Sequence, residues 1–383
     1  MPDGGARRQG IALTDRQRVA WLRLIRSDNV GPATFRDLIN HFGSAEAALA
    51  MLPELSSRGG ASRAIRIASV ADAEREIEVA QRFGANFLGI GEPDYPPALR
   101  QIEGAPPLLA VKGGLQTGTC PSVGIVGSRN ASISGAKFAA MIARDVGRAG
   151  YTVASGLARG IDTAAHRASI ETGTIAVLAG GLDQPYPPEN VPLLDEIIAG
   201  GGLAVSEMPF GWEPRARDFP RRNRLIAGIS LGVVVVEAAH RSGSLITARM
   251  AADFGRLVFA VPGSPLDPRC HGTNNLLKEG AIVTTGSDDV LNALAPLSEM
   301  EPVQASVIEE PDKSSDSTAF TPPDESERAA IVSALGPTPV EVDDIIRHTG
   351  LPASAVYLIL LELDLAGRLH RHPGGLVSIA MAE

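Results

Sequence analysis

The residues best suited to chemistry are Gly127, Ser128 and Arg129, in the stretch Val123-Gly-Ile-Val-Gly-Ser-Arg129. Residues 123–126 form a short apolar run of the kind that makes a buried strand. After Ser134-Gly135, the residues Phe138, Met141, Ile142 and Val146 recur at helical spacing. A strand, a glycine turn and a helix start together aim backbone N–H groups and a positive dipole end at an anion. A guanidinium inside that turn can fork onto a phosphate. The chemistry expected here is phosphate binding.

Standard nucleotide fingerprints do not fit. Gly124-Ile-Val-Gly127 is not G-x-G-x-x-G, and there is no G-x-x-x-x-G-K-[ST]. The next strand-like run ends in Ser155-Gly156, not in the acid that would hold a ribose hydroxyl. No cofactor is expected. Further candidates for contacting phosphate are Ser155 and Gly156, at the end of that run, Ser242, Gly243, Ser244 and Thr247, at a second helix start, and the basic run Arg221, Arg222, Asn223 and Arg224. That run precedes Leu225-Ile-Ala-Gly-Ile, so one helix face should be buried with the arginines crowding the other. Asp162 and Thr163 read as helix N-caps. Glu207 and Glu237 could act as a carboxylate pair or as partners for nearby arginines. His166, His240 and His271 fall near the same loops without a G-x-S-x-G serine elbow, so no catalytic residue and no metal site is expected.

The elements that must position these residues alternate. Strand-like runs at 123–126, 152–154, 174–178, 203–205, 232–236, 257–261 and 282–284 are continuously apolar, as buried parallel strands are. Helical stretches at 134–149, 163–172, 191–198, 222–228, 244–255, 273–279 and 288–293 separate them. The expected fold is α/β, a Rossmann-like doubly wound parallel sheet whose ligand sits beyond the carboxyl ends of the strands at a switch in strand order. Short proline-broken strands at 87–90 and 108–111 read as an addition to its edge.

Four segments are expected. Residues 1–85 form a helical domain in which Asn29-Val-Gly-Pro-Ala-Thr34 resembles the second half of a helix-hairpin-helix unit, which points turn N–H groups at a nucleic-acid backbone. Residues 86–295 hold the sheet, and residues 296–323 are a flexible acidic linker. Residues 324–383 read as a winged helix, with helices at 329–335, 342–349 and 353–366 and a closing hairpin. Its third helix, with Tyr357, Leu358, Ile359, Leu361 and Glu362, carries almost no base. Groove reading and protein contact both stay open for it.

Net charge is −9, yet its distribution matters more than its sum. From 297 to 327, nine acidic residues face Lys313 alone, whereas 215–224 hold five arginines against Asp218. Two cysteines, Cys120 and Cys270, exclude a disulfide framework, and no stretch has the length of apolar residues that spans a bilayer. Residues 1–10 lack a signal-peptide core. The expected location is the cytoplasm, with no membrane partner.

Val126-Gly-Ser-Arg129, Ser155-Gly-Leu-Ala-Arg-Gly-Ile-Asp-Thr-Ala-Ala-His166, Phe219-Pro-Arg-Arg-Asn-Arg224, Ser242-Gly-Ser-Leu-Ile-Thr-Ala248 and Gly272-Thr-Asn-Asn-Leu-Leu-Lys-Glu-Gly-Ala281 together resemble the DNA-processing protein A (DprA/Smf) family. The resemblance implies a Rossmann-like homodimer that binds single-stranded DNA in natural transformation and helps to load the RecA recombinase. It also implies phosphate contacts at Gly127, Ser128 and Arg129, bordered by the Arg221–Arg224 stretch and Lys278. In Tyr186-Pro-Pro-Glu-Asn190, Pro188 stands where many family members carry a basic residue. Two other classes remain at this stage: a nucleoside-phosphate-processing enzyme of the lysine-decarboxylase-like group, and a winged-helix regulator.

Overall fold

The computed structural model describes residues 12–298 and 323–380. They fall into two compact units, one over residues 76–298 and one joining residues 13–75 to 323–380. The acidic segment lies mostly at 299–322, outside the described residues, while 296–298 end the helix Ser287–Ser298.

In the first unit the continuous apolar runs form seven parallel strands: β3 (Ser122–Gly127), β4 (Thr152–Ser155), β5 (Thr174–Val177), β6 (Leu203–Ser206), β7 (Gly232–Val236), β8 (Leu257–Ala260) and β9 (Ile282–Val283). Two earlier strands, β1 (Asn86–Gly89) and β2 (Leu108–Gly113), extend one edge, where β2 runs antiparallel to β6 and β1 antiparallel to β2. The order β1-β2-β6-β5-β4-β3-β7-β8-β9 runs outward in both directions from β3. The switch point therefore lies between β3 and β7, and a crevice opens where their carboxyl ends diverge.

Alternation along β3 places its side chains under two helical layers. Val123 and Ile125 join Ile142, Val146, Ile161 and Ala165 in a fully buried cluster beneath the helices Ile133–Arg148 and Ile161–Ser169. Gly124 faces the helix Asp218–Ile229, where a Cβ would press on Ser230, Val233 and Ile226. Gly127 ends the strand where its backbone closes on the Val236 carbonyl, and no side chain fits in that gap.

The second unit contains the helices Asp15–Ile25, Pro32–Phe42 and Ala45–Arg58 from the start of the chain. From its end come the helices Glu325–Ala334, Val342–Thr349 and Ala353–Leu365. A three-stranded sheet completes it, in the order β10 (Val340–Glu341), β12 (Leu376–Ile379), β11 (Leu369–His372). These last elements make a winged helix with a core of Ile331, Ile345, Val356, Ile359, Leu360 and Leu363. The helix Ala353–Leu365 is apolar on more than one side because its other side packs on the helices Pro32–Phe42 and Ala45–Arg58.

Candidate nucleic-acid interface

At the switch point the loop after β3 delivers Ser128, Arg129 and Asn130. The loop after β7 delivers Arg241 and Ser242, and the helix Asp218–Ile229 closes the floor with Phe219, Arg222 and Asn223. They line a cavity of about 470 Å³ that also takes in Gly243, Ser244 and Thr247. A second cavity of about 470 Å³ adjoins it and shares Arg129, Ala158, Phe219 and Arg222, adding Gly156, Arg159 and Tyr186.

Arg222 is the unusual residue of the site. It is 6% exposed, and it makes no hydrogen bond or ion pair with any described residue; its Nε is buried without a partner. Its guanidinium stands over the Phe219 ring at 5.9 Å, and that of Arg129 stands over the same ring at 5.4 Å. Burial, opposed by the buried Asp162 carboxylate and aided by the Arg129 charge, brings the Arg222 pKa down to about 10. A guanidinium remains protonated at neutral pH under that shift. The crevice thus holds two positive charges, Arg222 buried and Arg129 exposed, with no acid in ion-pair contact with either among the described residues.

Corrections to the sequence expectations follow from this geometry. The four-residue basic run is not one face of solvated arginines. Arg222 lies four residues before Ile226 and so falls on the buried side of its helix. Arg221 and Arg224 turn away to Glu207: Arg221 Nε donates to Oε1 at 2.9 Å and Arg224 Nη2 to Oε2 at 2.7 Å. Neither lines the two cavities, and neither does Lys278 on the helix His271–Lys278. Ser155 is fully buried, its Oγ donating to the Ile125 carbonyl at 2.6 Å.

The helix start after β3 is also not open to an anion. Its N-cap is Ser132, whose Oγ accepts from Gly135 N at 2.9 Å. Glu237 already sits there: its Oε2 accepts from Ser132 N at 2.9 Å, and its Oε1 accepts from Ser132 Oγ. Gly135 leaves the room, since a Cβ would fall 2.5 Å from the carboxylate carbon. This carboxylate complements the dipole that was expected to attract a ligand. The second helix start, Gly243–Asp253, does face the cavity, with Ser242 as its N-cap accepting from Ser244 N at 3.3 Å. Asn223 braces it, donating from Nδ2 to the Gly243 carbonyl at 3.2 Å.

Asp162 and Thr163 are not caps, because Gly160 opens their helix with φ 75°. Asp162 Oδ2 accepts from Gly156 N at 3.0 Å and Ala158 N at 3.4 Å, tying the loop that carries both residues into the crevice. Burial raises its pKa, opposed by the Arg222 charge and those N–H donors. Thr163 Oγ1 donates to the Ala158 carbonyl at 2.8 Å.

His166 is scaffold. It is fully buried; Leu157 N donates to Nε2 at 3.3 Å, so Nδ1 carries the proton toward Thr174 Oγ1 at 2.8 Å, which passes its own to the Val153 carbonyl. Burial, then the Arg222 charge, drives its pKa down to about 3, so it is neutral throughout the physiological range.

Arg159, Tyr186 and Arg241 line the crevice without having been singled out as candidates. Tyr186 sits edge-on to Phe219 at 5.6 Å. Its signal was available as an aromatic in a proline-rich loop following a strand. Among the described residues, no group of three or more His, Cys, Asp or Glu could hold a metal, and no helix is long and apolar enough to cross a membrane.

The family model for "DNA recombination-mediator protein A" matches residues 86–295, that for a DprA-like N-terminal HHH domain matches 15–79, and that for a DprA winged helix domain matches 315–375. Protein Smf of Synechocystis is 33% identical, covering 94% of this chain and 98% of its own length. The DNA processing protein DprA of Streptococcus pneumoniae is 46% identical, over 51% of this chain and 70% of its own. The crystal structure of DprA from S. pneumoniae superposes with a TM-score of 0.60 at 34% identity, covering 74% of this chain and 98% of that one. A DprA structure from Helicobacter pylori, titled for its single-stranded DNA binding mode, gives 0.50 at 28% identity, covering 55% and 96%. By these matches, which run from the hairpin helices through the sheet to the winged helix, the chain belongs to the DNA-processing protein A (DprA/Smf) family.

Proposed function

We propose that this protein binds single-stranded DNA in the crevice between β3 and β7, seating backbone phosphates against Arg129 and Arg222, and hands the strand to the RecA recombinase during DNA uptake. The observation that carries this reading is Arg222. A buried guanidinium with no hydrogen-bonded partner is strongly unfavourable, and an anion reaching it from the crevice relieves that cost. Phosphate suits the place, because Arg129 supplies a second fork and the helix Gly243–Asp253 supplies N–H donors. The crevice is lined by arginines, hydroxyls and Phe219, together with Asn130, Asp162 and Asn223; Asp162 is buried against backbone N–H groups and Asn223 is committed to the Gly243 carbonyl, which favours phosphate contact over base reading. RecA loading and a homodimeric assembly rest on family membership. The proposal assigns the crevice no catalytic residue.

Fluorescence anisotropy with a mixed-sequence single strand and the matching duplex tests the binding. The strand should bind at least about tenfold more tightly, with log K falling against log salt by roughly 0.7 per phosphate neutralised. Equal affinity for duplex, or a flat salt response, overturns the reading. The loading step is read separately, as faster onset of RecA ATP hydrolysis on the strand when this protein is added.

A further inference from the structure

Asn29-Val-Gly-Pro32 makes a tight turn ahead of the helix Pro32–Phe42, the arrangement that directs backbone N–H groups at a nucleic-acid phosphate. Another part of the same compact unit is seated on that turn. Asn29, held at φ 58°, donates from Nδ2 to the Leu365 carbonyl at 2.8 Å. Thr34 Oγ1, in the first turn of the helix, donates to Asp364 Oδ2 at 2.8 Å. Arg371 bridges the two segments, with Nε 2.7 Å from Asp364 and Nη2 2.7 Å from Asp37. A carboxylate from the end of the winged-helix helix Ala353–Leu365 is thus bound to a hydroxyl in the first turn of the hairpin's second helix, near its positive end.

The same contact closes the winged helix. Leu358, Leu361, Glu362 and Leu365 are buried on the side of that helix away from the Ile359–Leu363 core. Glu362 is wholly buried and ion-paired with Arg328 at 2.7 Å. Gly59 lies so close to the Glu362 carbonyl that a Cβ would overlap it and come within 2.9 Å of Ala366 Cβ.

We propose that the winged helix is a cover in cis for the helix-hairpin-helix turn. Asp364 stands in the position of a DNA phosphate, and the N-terminal module binds duplex backbone only when the cover lifts. While it is closed, neither module presents a groove-reading or backbone-reading face, and DNA contact is left to the central crevice.

The test uses the full chain carrying Arg129→Ala, so that central-crevice binding is reduced, and a mixed-sequence duplex as probe. Gly59→Leu should wedge the contact open, speed amide hydrogen exchange in residues 353–365, and raise duplex affinity at least tenfold. Arg371→Glu, which adds no volume, should act in the same direction more weakly, and it decides the matter alone if Gly59→Leu loses helical circular dichroism. Faster exchange with unchanged duplex affinity overturns the proposal. Unchanged exchange in Gly59→Leu overturns it too, since the packing that defines the cover cannot accept that side chain. Should Arg129→Ala leave single-strand binding intact, it is the crevice reading that fails; the comparison of duplex affinity with and without Gly59→Leu is unaffected.

Discussion

The Arg222 guanidinium occupies the space that a side chain on residue 156 would need: a Cβ on Gly156 would overlap Nη1 and fall within 2.8 Å of Nη2. Gly156 has no positive φ to protect, so its importance is room for the arginine, not backbone freedom. Gly156→Ala should therefore displace the end of a flexible side chain at small cost to the fold. The expected result is single-strand affinity about tenfold weaker, roughly 1.4 kcal/mol, with a melting temperature lowered by only a few degrees. Anisotropy titration and thermal melts on the same preparation check both halves.

Arg129 has no ion-pair partner among the described residues, and its guanidinium stands over the Phe219 ring. Arg129→Ala should weaken strand binding by about 1.5–3 kcal/mol, the range for hydrogen bonds to charged groups, and leave the melting temperature unchanged. Arg129→Lys should restore only part of the loss, because an ammonium keeps the charge without the planar fork. A drop in stability with unchanged affinity would place Arg129 in the scaffold.

Glu207 gives the opposite pattern. It is buried between Arg221 and Arg224, and Arg224 also donates to the Gly104 carbonyl. Glu207→Gln leaves a partly buried guanidinium with less compensation and should lower stability by roughly 3 kcal/mol, the low end for cutting a buried pair. Strand affinity per folded molecule should persist, since neither arginine lines the crevice. Chemical denaturation alongside binding separates the two effects.

His166 predicts an acid sensitivity. Its folded pKa, about 3, lies below the ordinary value of 6.5, so the unfolded chain takes up the proton first. Stability is then complete above about pH 6.5 and falls as pH drops from there toward 3, by roughly 1 kcal/mol per unit. Between about pH 7 and 5 the unfolding free energy of the native chain should fall faster than that of His166→Asn, whose side chain does not titrate. Parallel slopes would show that another group governs this window.

The parallel strands were legible because burial on both faces leaves each one a continuous apolar run, and the hydroxyl-rich Ser242–Thr247 segment was legible as a helix start, which lines the crevice. What escaped was set by contacts distant in sequence. Glu237 neutralises a helix start 105 residues earlier in the chain; pairing of Glu207 with nearby arginines was among the readings the sequence offered, but not that it would draw Arg221 and Arg224 away from the crevice. The singular role of Arg222 was available in principle, since its four-residue spacing to Ile226 puts it on the apolar side. The cover over the hairpin turn left a mark as well: the helix Ala353–Leu365 is apolar around nearly its whole circumference, more than a three-helix winged core alone can bury.

The second unit is built from the two ends of the chain, and synthesis runs in one direction only. The face of the helix Ala45–Arg58 that receives the helix Ala353–Leu365 is made first, and its partner follows roughly 300 residues later, a delay of about 15–60 s at ordinary elongation rates. The last strand of the first unit's sheet, β9, is made before the helix Ala353–Leu365, so that sheet can be completed while the hairpin helices still have an uncovered apolar side. Residues 353–365, made after every strand of that sheet, thus complete a module begun before any of them.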